Sequence, residues 1–258
     1  MVNVNIDGQM LEANAGDMII QVADKAGSYI PRFCYHEKLS IAANCRMCLV
    51  EVEGIGKTLP ACATPVAEGM KVFTRSPKAL EAQRHIMEFL LINHPLDCPV
   101  CDQGGQCELQ DLAMDYGEGV SQYNQGKRSV KDKDIGPLID TEMTRCIYCT
   151  RCVRFGTEVA GIRELGLTGR GENTEVGTYV AKLVGSEVSG NVIDLCPVGA
   201  LNAKPSAKQG RAWHLAQHAG LAMHDCLAAP VYWHTDKDDY GHAHIVQTVP
   251  RASESGEH

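Results

Sequence analysis

The stretch Cys146-Ile147-Tyr148-Cys149-Thr150-Arg151-Cys152 decides the character of this chain, because it holds three cysteines at a double two-residue spacing. A fourth cysteine, Cys196, lies further along the chain and is followed by Pro197. Three thiolates from one loop can cap three corners of a four-iron cube, and a distant cysteine followed by proline completes the set in bacterial ferredoxins. Zinc sites rarely use such a triplet. The pattern therefore predicts a 4Fe-4S cluster on these four cysteines.

Three arginines flank this loop: Arg145, Arg151 and Arg154. Positive charge close to an anionic cluster would raise its reduction potential. Arginines are also common on solvated surfaces, and the sequence alone does not choose between these two interpretations.

A second set of four cysteines lies near the start of the chain: Cys34, Cys45, Cys48 and Cys62. A two-iron cluster needs four thiolates, two on each iron. A long loop with three of them, closed by a fourth from a later segment, is how a β-grasp ferredoxin supplies these ligands. The first gap holds ten residues, whereas the plant-type loop has about four, so this loop is a variant. The set predicts a 2Fe-2S cluster, and a four-cysteine zinc site stays open as the alternative.

The remaining set contains one histidine and three cysteines: His94, Cys98, Cys101 and Cys107. Pro95 ends the preceding helix and is expected to direct His94 toward the three thiols. The two glycines at 104 and 105 are expected to let the backbone approach a cluster and to aim their amides at its sulfides. The set predicts a second 4Fe-4S cluster, with a zinc site of three cysteines and one histidine as the alternative.

Composition and charge limit the classes of function that the chain can have. The chain has 258 residues, twelve cysteines and a formal charge of −8, which gives no sign of a nucleic-acid or anionic-membrane surface. We find no signal peptide and no apolar run near the roughly 20 residues that span a bilayer. The expected protein is soluble and intracellular, where disulfides are rare and clustered cysteines indicate metal binding. No glycine-rich nucleotide fingerprint or flavin motif is present, so no residue is assigned a catalytic role.

Hydrophobic patterning predicts an α+β fold with four parts. Strands are expected at Val2–Ile6, Cys48–Val52 and Met70–Thr74, with a helix at Asp17–Ala26, the order of a β-grasp. A longer helix is expected to start at Ser76-Pro77 and to bury Ala79, Ala82, Ile86, Phe89 and Leu90, and residues 115–140 to form a surface connection. The predicted parts are a 2Fe-2S domain (1–76), a His/Cys-ligated 4Fe-4S domain (77–139), a four-cysteine 4Fe-4S domain (140–204) and a final region (205–258).

The three sets, in this order, closely resemble the N-terminal part of the large iron–sulfur subunit of respiratory complex I, the NADH:quinone oxidoreductase. The supporting stretches are residues 94–102, 143–146 and 189–201, which read HPLDCPVCD, MTRC and SGNVIDLCPVGAL. The resemblance implies one 2Fe-2S and two 4Fe-4S clusters on the three sets named above. The implied function is a one-electron relay from the flavin subunit toward quinone.

The same resemblance implies the surroundings of the chain. Its partners would be the flavin- and NADH-binding subunit, a two-iron thioredoxin-like subunit and a ferredoxin-like subunit. It would lie at the cytoplasmic face of the bacterial inner membrane, held there through the complex. Two rivals stay open: the diaphorase small subunit of a soluble NAD-linked hydrogenase, which has a similar N-terminal architecture, and a non-redox scaffold that binds zinc.

The C-terminal part departs from this family pattern. Family members continue into a large domain that resembles molybdopterin oxidoreductases, and residues 205–258 look like only its start. Some members carry an additional cluster there, but Cys226 is the one cysteine in this region, so that cluster is not expected. Cys226 is predicted to be a buried or free thiol, and His242 and His244 to be surface residues rather than metal ligands.

Overall fold

The computed structural model describes residues 1–178, 183–223, 226–238 and 240–251. The first part is a five-stranded mixed sheet in the order β2-β1-β5-β3-β4, in which β1 and β5 run parallel. One helix, α1 at Ile19–Lys25, follows the β1-β2 hairpin, which gives the expected β-grasp arrangement. The strands are β1 (Val2–Ile6), β2 (Gln9–Ala13), β3 (Leu49–Val52), β4 (Leu59–Pro60) and β5 (Met70–Phe73).

Local sequence explains why these elements form where they do. Val4 and Ile6 are fully buried on one face of β1, as the alternating pattern predicts. Asp7 and Gly8 both have positive φ values, 50° and 91°, and make the turn into β2. The Asp7 carboxylate accepts hydrogen bonds from the Thr74 amide at 2.8 Å and from its hydroxyl at 2.6 Å, which ties this turn to the end of β5.

The long helix α2 (Pro77–Leu91) starts where the sequence predicts, because the Ser76 hydroxyl accepts a hydrogen bond from the Ala79 amide at 3.1 Å. The prediction of its buried face is only partly right. Ala79, Gln83 and Met87 are fully buried, whereas Phe89 is 68% exposed. Residues four apart share one face of a helix, so positions 79, 83 and 87 form the buried face. Position 89 lies off this face, and its side chain is therefore exposed.

The cluster-binding region of the chain consists of short elements joined by long connections. Residues 117–138 form an irregular connection, as expected for 115–140, although Val130 and Ile135 within it are buried. Strands β6 and β9 pair with each other, and so do β7 and β8, both pairs antiparallel. The elements are α3 (Glu108–Tyr116), β6 (Ile139–Thr141), α4 (Arg151–Glu158), β7 (Leu165–Thr168), β8 (Glu175–Thr178), α5 (Asn191–Leu195) and β9 (Leu201–Ala203).

The final region is a three-stranded antiparallel sheet of β10 (Ala216–Leu221), β11 (Pro230–Lys237) and β12 (Ala243–Pro250). Its assignment to the start of a molybdopterin-oxidoreductase-like domain, and the four domain boundaries given above, stay predictions. Cys226 is a free thiol, but it is exposed and not buried, because it lies in a turn between β10 and β11. Among the described helices, none is long and apolar enough to cross a bilayer.

Candidate metal-cluster centres

Thiols of all three predicted sets border a single buried core. This core contains Cys34 and Cys45 of the first set, Cys107 of the second and Cys149 of the third, and Cys146 and Cys196 pack against it. The apolar residues between them are Phe33, Met47, Met87, Leu109, Leu112, Ile147, Val198 and Ala200. The fold therefore brings together ligand candidates that are up to 162 positions apart, as Cys34 and Cys196 are.

The first set, Cys34, Cys45, Cys48 and Cys62, converges as the sequence predicts. Three of these thiols lie on the loop between α1 and β3, and Cys62 lies in a short 3-10 turn after β4. All four are buried, and the Cys34 amide donates to the Cys45 sulfur at 3.4 Å.

Hydrogen bonds among these four thiols shift their pKa values in opposite directions. Contacts with Cys45 and Cys62 lower the pKa of Cys34 to about 2, and contact with Cys34 raises the pKa of both partners. Four buried thiolates at this spacing would repel one another, and positively charged iron ions would remove that repulsion. The donor set therefore fits a metal cluster.

The second set, His94, Cys98, Cys101 and Cys107, lies on the connection between α2 and α3. The Nδ1 atom of His94 is buried and has no hydrogen-bond partner within the described ranges. Burial lowers the pKa of His94 to about 4, so the ring is neutral near pH 7. A neutral imidazole with a free nitrogen is what a metal ligand requires. Burial also raises the pKa of the Cys101 and Cys107 thiols.

The glycines of this set have a different role from the predicted one. The Gly104 amide donates to the Cys101 carbonyl and the Gly105 amide to the Gln110 side chain, each at 2.9 Å, so these amides do not point at a cluster. A side chain at position 104 would place its Cβ 2.7 Å from the Cys98 carbonyl oxygen. Glycine is required at this position because the loop folds tightly on itself.

The four thiols of the third set line one small, partly open cavity: Cys146, Cys149, Cys152 and Cys196. The other residues that line it are mostly apolar, among them Met143, Ile147, Val176, Pro197, Val198, Ala200 and Leu201. Tyr148 and Thr150 have positive φ values, which turn the loop so that its thiols face the cavity. The Tyr148 amide donates to the Cys146 sulfur at 3.4 Å. N–H···S bonds of this kind stabilise a thiolate ligand.

Burial strongly opposes ionisation of these four thiols. It raises the pKa of Cys146 and Cys196 to about 11 and that of Cys149 to about 12, and it raises the pKa of Cys152 well above its usual range. Because thiolates are the ligands of a cluster, positive charge in the cavity must offset this desolvation. The donor set of four thiols in apolar surroundings fits a 4Fe-4S cluster.

The third set lies in contact with both of the others. Cys107 of the second set donates from its sulfur to the Pro197 carbonyl at 3.7 Å. A Cβ atom built on Gly199 would lie 2.4 Å from the Cys101 sulfur. On the other side, the Arg154 guanidinium donates to the carbonyls of Cys34 and Cys149, residues of the first and third sets.

The flanking arginines are not a solvated surface group. Arg145 and Arg151 are buried, and Arg154 is partly buried. Arg145 donates to the Asp97 carboxylate at 2.7 and 2.9 Å and to the Gly199 carbonyl at 3.3 Å, which joins the second set to the third. Of the two interpretations that the sequence leaves open, the structure thus favours positive charge close to the centres.

A contact that sequence reasoning missed comes from the segment just before β10. The Arg211 guanidinium donates to the Cys101 carbonyl at 2.9 Å. The ring of Trp213 lies so close to Gly105 that a Cβ there would be 2.9 Å from it. The sequence feature that could have indicated this contact is Trp213 itself, since the chain has only two tryptophans.

The C-terminal histidines lie on the surface, in agreement with the prediction. His242 and His244 are both exposed, and the Nδ1 atom of His242 is 3.2 Å from the Asp238 carboxylate within one turn. In the parts of the chain that the structure describes, no three or more His, Cys, Asp or Glu side chains are arranged around a single-ion site.

Models of three protein families match successive parts of the chain. Residues 1–77 match a 2Fe-2S iron–sulfur cluster binding domain, and residues 83–121 match the NADH-ubiquinone oxidoreductase-G iron–sulfur binding region. Residues 136–202 match the ferredoxin-like domain of NADH-quinone oxidoreductase subunit 3. Each match contains one of the three ligand sets, so the chain carries iron–sulfur binding domains of the 2Fe-2S and ferredoxin-like types.

Comparison with individual proteins agrees with these matches. The NADH-ubiquinone oxidoreductase 75 kDa subunit of Reclinomonas americana is 52% identical over 98% of this chain, which spans 36% of that protein. The G subunit of NADH-quinone oxidoreductase from Rickettsia bellii is 49% identical over 98% of this chain and 37% of its own length.

Among solved structures, a chain of an NAD⁺-reducing NiFe-hydrogenase superposes with a TM-score of 0.73 at 28% identity, covering 81% of this chain and 90% of that one. This identity is much lower than that of the two NADH oxidoreductase relatives. Along nearly its whole length the chain is therefore similar to part of the large iron–sulfur subunit of NADH-quinone oxidoreductase, the 75 kDa or G-type subunit.

Proposed function

We propose that this chain relays single electrons within an NADH:quinone oxidoreductase, from the flavin subunit toward quinone. One 2Fe-2S cluster would bind to Cys34, Cys45, Cys48 and Cys62. One 4Fe-4S cluster would bind to His94, Cys98, Cys101 and Cys107, and another to Cys146, Cys149, Cys152 and Cys196. The observation that carries the proposal is that thiols from all three sets border one buried core.

The residues of the chain would set the conditions for transfer rather than perform a reaction. Bound clusters supply the one-electron chemistry. The apolar core lowers the local dielectric constant, and Arg145 and Arg154 bring positive charge to the ligand loops. The Tyr148 amide stabilises negative charge on the Cys146 sulfur.

The contacts between the sets support an order for the relay. The first set meets the third through Arg154, and the third meets the second at Pro197 and Gly199. We therefore infer that the 4Fe-4S cluster on four cysteines exchanges electrons with both of the other clusters. The expected partners are the flavin/NADH-binding, thioredoxin-like and ferredoxin-like subunits, with the chain held peripherally at the cytoplasmic face of the inner membrane.

Metal analysis tests the proposal directly. Chain purified without oxygen should contain about ten irons, two plus four plus four, and an equal amount of acid-labile sulfide. Electron paramagnetic resonance (EPR) of the reduced protein should then show three separate signals. Stoichiometric zinc with little iron would instead support the non-redox scaffold and overturn the relay.

His94→Ala tests the least usual ligand. Because each set has four ligands of its own, the substitution should change the EPR signal or potential of one 4Fe-4S cluster and spare the other two signals. His85→Ala, on the exposed side of α2, is the control and should change none of them. Three unchanged signals in the His94 variant would exclude this residue as a ligand.

The diaphorase small subunit of a soluble NAD-linked hydrogenase is the second candidate. The structural similarity to a chain of an NAD⁺-reducing hydrogenase favours it, while the higher identity to NADH-quinone oxidoreductase subunits over nearly the whole chain favours the first proposal. Co-purification from the native host separates the two. A quinone-reducing membrane complex would support the relay proposed here, and a soluble nickel-containing complex would support the alternative.

A further inference from the structure

Arg151 lies where the ligand loops of all three sets meet. Its guanidinium Nη2 donates to the Tyr35 carbonyl at 3.1 Å, and Tyr35 directly follows Cys34. Its Nη1 donates to the Glu108 carboxylate at 3.0 Å, and Glu108 directly follows Cys107.

The same Nη1 atom lies 3.5 Å from the Leu195 carbonyl, and Leu195 directly precedes Cys196. Arg151 itself directly precedes Cys152. One side chain thus contacts a neighbour of a candidate ligand in every set. Arg145 and Arg154, by comparison, each connect two sets.

The charge of Arg151 is only partly balanced by protein groups. The side chain is 7% exposed, and its Nε atom is buried without a hydrogen-bond partner among the described residues. Its carboxylate partner in the described ranges, Glu108, is 47% exposed, so water screens much of that attraction. A buried guanidinium needs a further source of negative charge close by. Clusters held by thiolates are anionic and would provide it.

We propose that Arg151 is the positioning residue that holds the three ligand loops together and raises the reduction potentials of all three clusters. The inference rests on the proposed function, because it assumes that the clusters are present. A planar guanidinium can reach three acceptors at once, which an ammonium group does less well. Its fixed positive charge stabilises each cluster more after reduction, when the cluster carries one more electron.

The experiment compares Arg151→Gln, Arg151→Lys and Glu108→Gln in the full 258-residue chain, by redox titration followed by EPR. In Arg151→Gln the equilibrium constant for reduction should fall about tenfold at each of the three clusters, which is about 59 mV for a one-electron couple. Arg151→Lys should keep potentials close to those of the wild type and lose clusters faster in a chelator. Arg84→Gln, which removes an exposed arginine paired with Glu118, is the control and should change neither property.

Glu108→Gln gives a result that a purely structural role would not produce. It removes negative charge beside Arg151, so it should raise the potentials, the opposite sign to Arg151→Gln. If Arg151→Gln fails to assemble clusters, the potentials of Glu108→Gln still test whether the charge of Arg151 affects the three clusters. Unchanged potentials in Glu108→Gln, or a shift in Arg151→Gln that is confined to the Cys152-containing set, would overturn the inference. Absence of three clusters from the wild-type chain would instead overturn the proposed function.

Discussion

At the scale of single residues, two buried polar atoms beside the thiol sets lack a hydrogen-bond partner. His94 Nδ1 and Arg151 Nε are both buried without a hydrogen-bond partner in the described parts of the chain. A buried unsatisfied group usually costs about 1–3 kcal/mol. Both residues lie beside thiol sets, where a bound metal would use the imidazole nitrogen and balance the guanidinium charge. These two unpartnered atoms therefore support the proposal that the thiol sets hold metal clusters.

Gly199→Ala should damage a cluster whose ligands lie far away in sequence. The added Cβ atom would be 2.4 Å from the Cys101 sulfur and 3.0 Å from the Gln103 Cβ, so Cys101 must move. The expected result is a weakened EPR signal and lower iron content for the His94-containing set, with the 2Fe-2S signal unchanged. Gly190→Ala is the matched control, because no atom lies within 4 Å of its added Cβ, and it should have no effect. A normal signal in the Gly199 variant would show that the two loops do not pack as described.

At the scale of elements, α2 links the β-grasp sheet to the thiol-lined core. Its Gln83 side chain donates to the Leu49 carbonyl of β3 at 2.9 Å, and Met87 packs in the core that holds thiols of all three sets. The helix therefore supports both the sheet and the centres, although it contributes no ligand itself. His94 follows its end, so the position of the helix also sets the position of that side chain.

Met87→Ala should cost about 2–5 kcal/mol of unfolding free energy, because it removes a fully buried side chain from this core. Denaturant unfolding of the cluster-loaded chain, monitored by circular dichroism, provides the measurement. Met114→Ala is the control: this methionine is on α3 and is 82% exposed. Its substitution should change the free energy by about 0.5 kcal/mol or less. Equal effects of the two substitutions would contradict the packing described for α2.

The segment before β10 covers the His94-containing set, and Trp213→Ala should uncover it. Trp213 packs on Gly105, and Arg211 holds the Cys101 carbonyl. We expect this 4Fe-4S cluster to be lost several-fold faster in the presence of a chelator, while the 2Fe-2S cluster is lost at the wild-type rate. Tyr240→Ala removes another exposed aromatic residue of the same region and should leave both rates unchanged. Equal loss rates in both variants and the wild type would show that the segment protects nothing.

At the scale of the whole molecule, the proposed function makes the three sets around one core a relay for single electrons. NADH gives up a hydride, which carries two electrons, whereas iron–sulfur clusters accept one electron at a time. A flavin must therefore stand between them, and the sequence has no glycine-rich nucleotide fingerprint.

The isolated, cluster-loaded chain should accordingly not be bleached by NADH under anaerobic conditions. Addition of the flavin-containing partner subunit should make the visible absorbance fall quickly, because electrons then enter singly. Dithionite, which reduces clusters directly, is the positive control for the isolated chain. Rapid bleaching of flavin-free chain by NADH alone would mean that it holds a nucleotide site.

The sequence by itself predicted the iron–sulfur domains of this protein, which the three family models confirm, and much of its local structure. Cysteine spacing depends on short stretches of chain, so the triplet at residues 146–152 indicated its ligand type before any fold was known. The strand at Val2–Ile6 and the start of α2 at Ser76-Pro77 were predicted correctly for the same reason, since alternation and capping act over a few residues.

Only the tertiary structure decided how these parts meet. Gly199 contacts Cys101, Trp213 covers Gly105, and three ligand loops meet at Arg151. These contacts join residues that are far apart in the sequence, and no sequence pattern predicts them. The exposure of Phe89 likewise depends on how α2 packs. The sequence also assigned the amides of the glycines at 104 and 105 to a cluster, and the fold uses them for a tight turn instead. Such contacts depend on the packing of the whole core, where burial and electrostatic interactions act between distant segments at once.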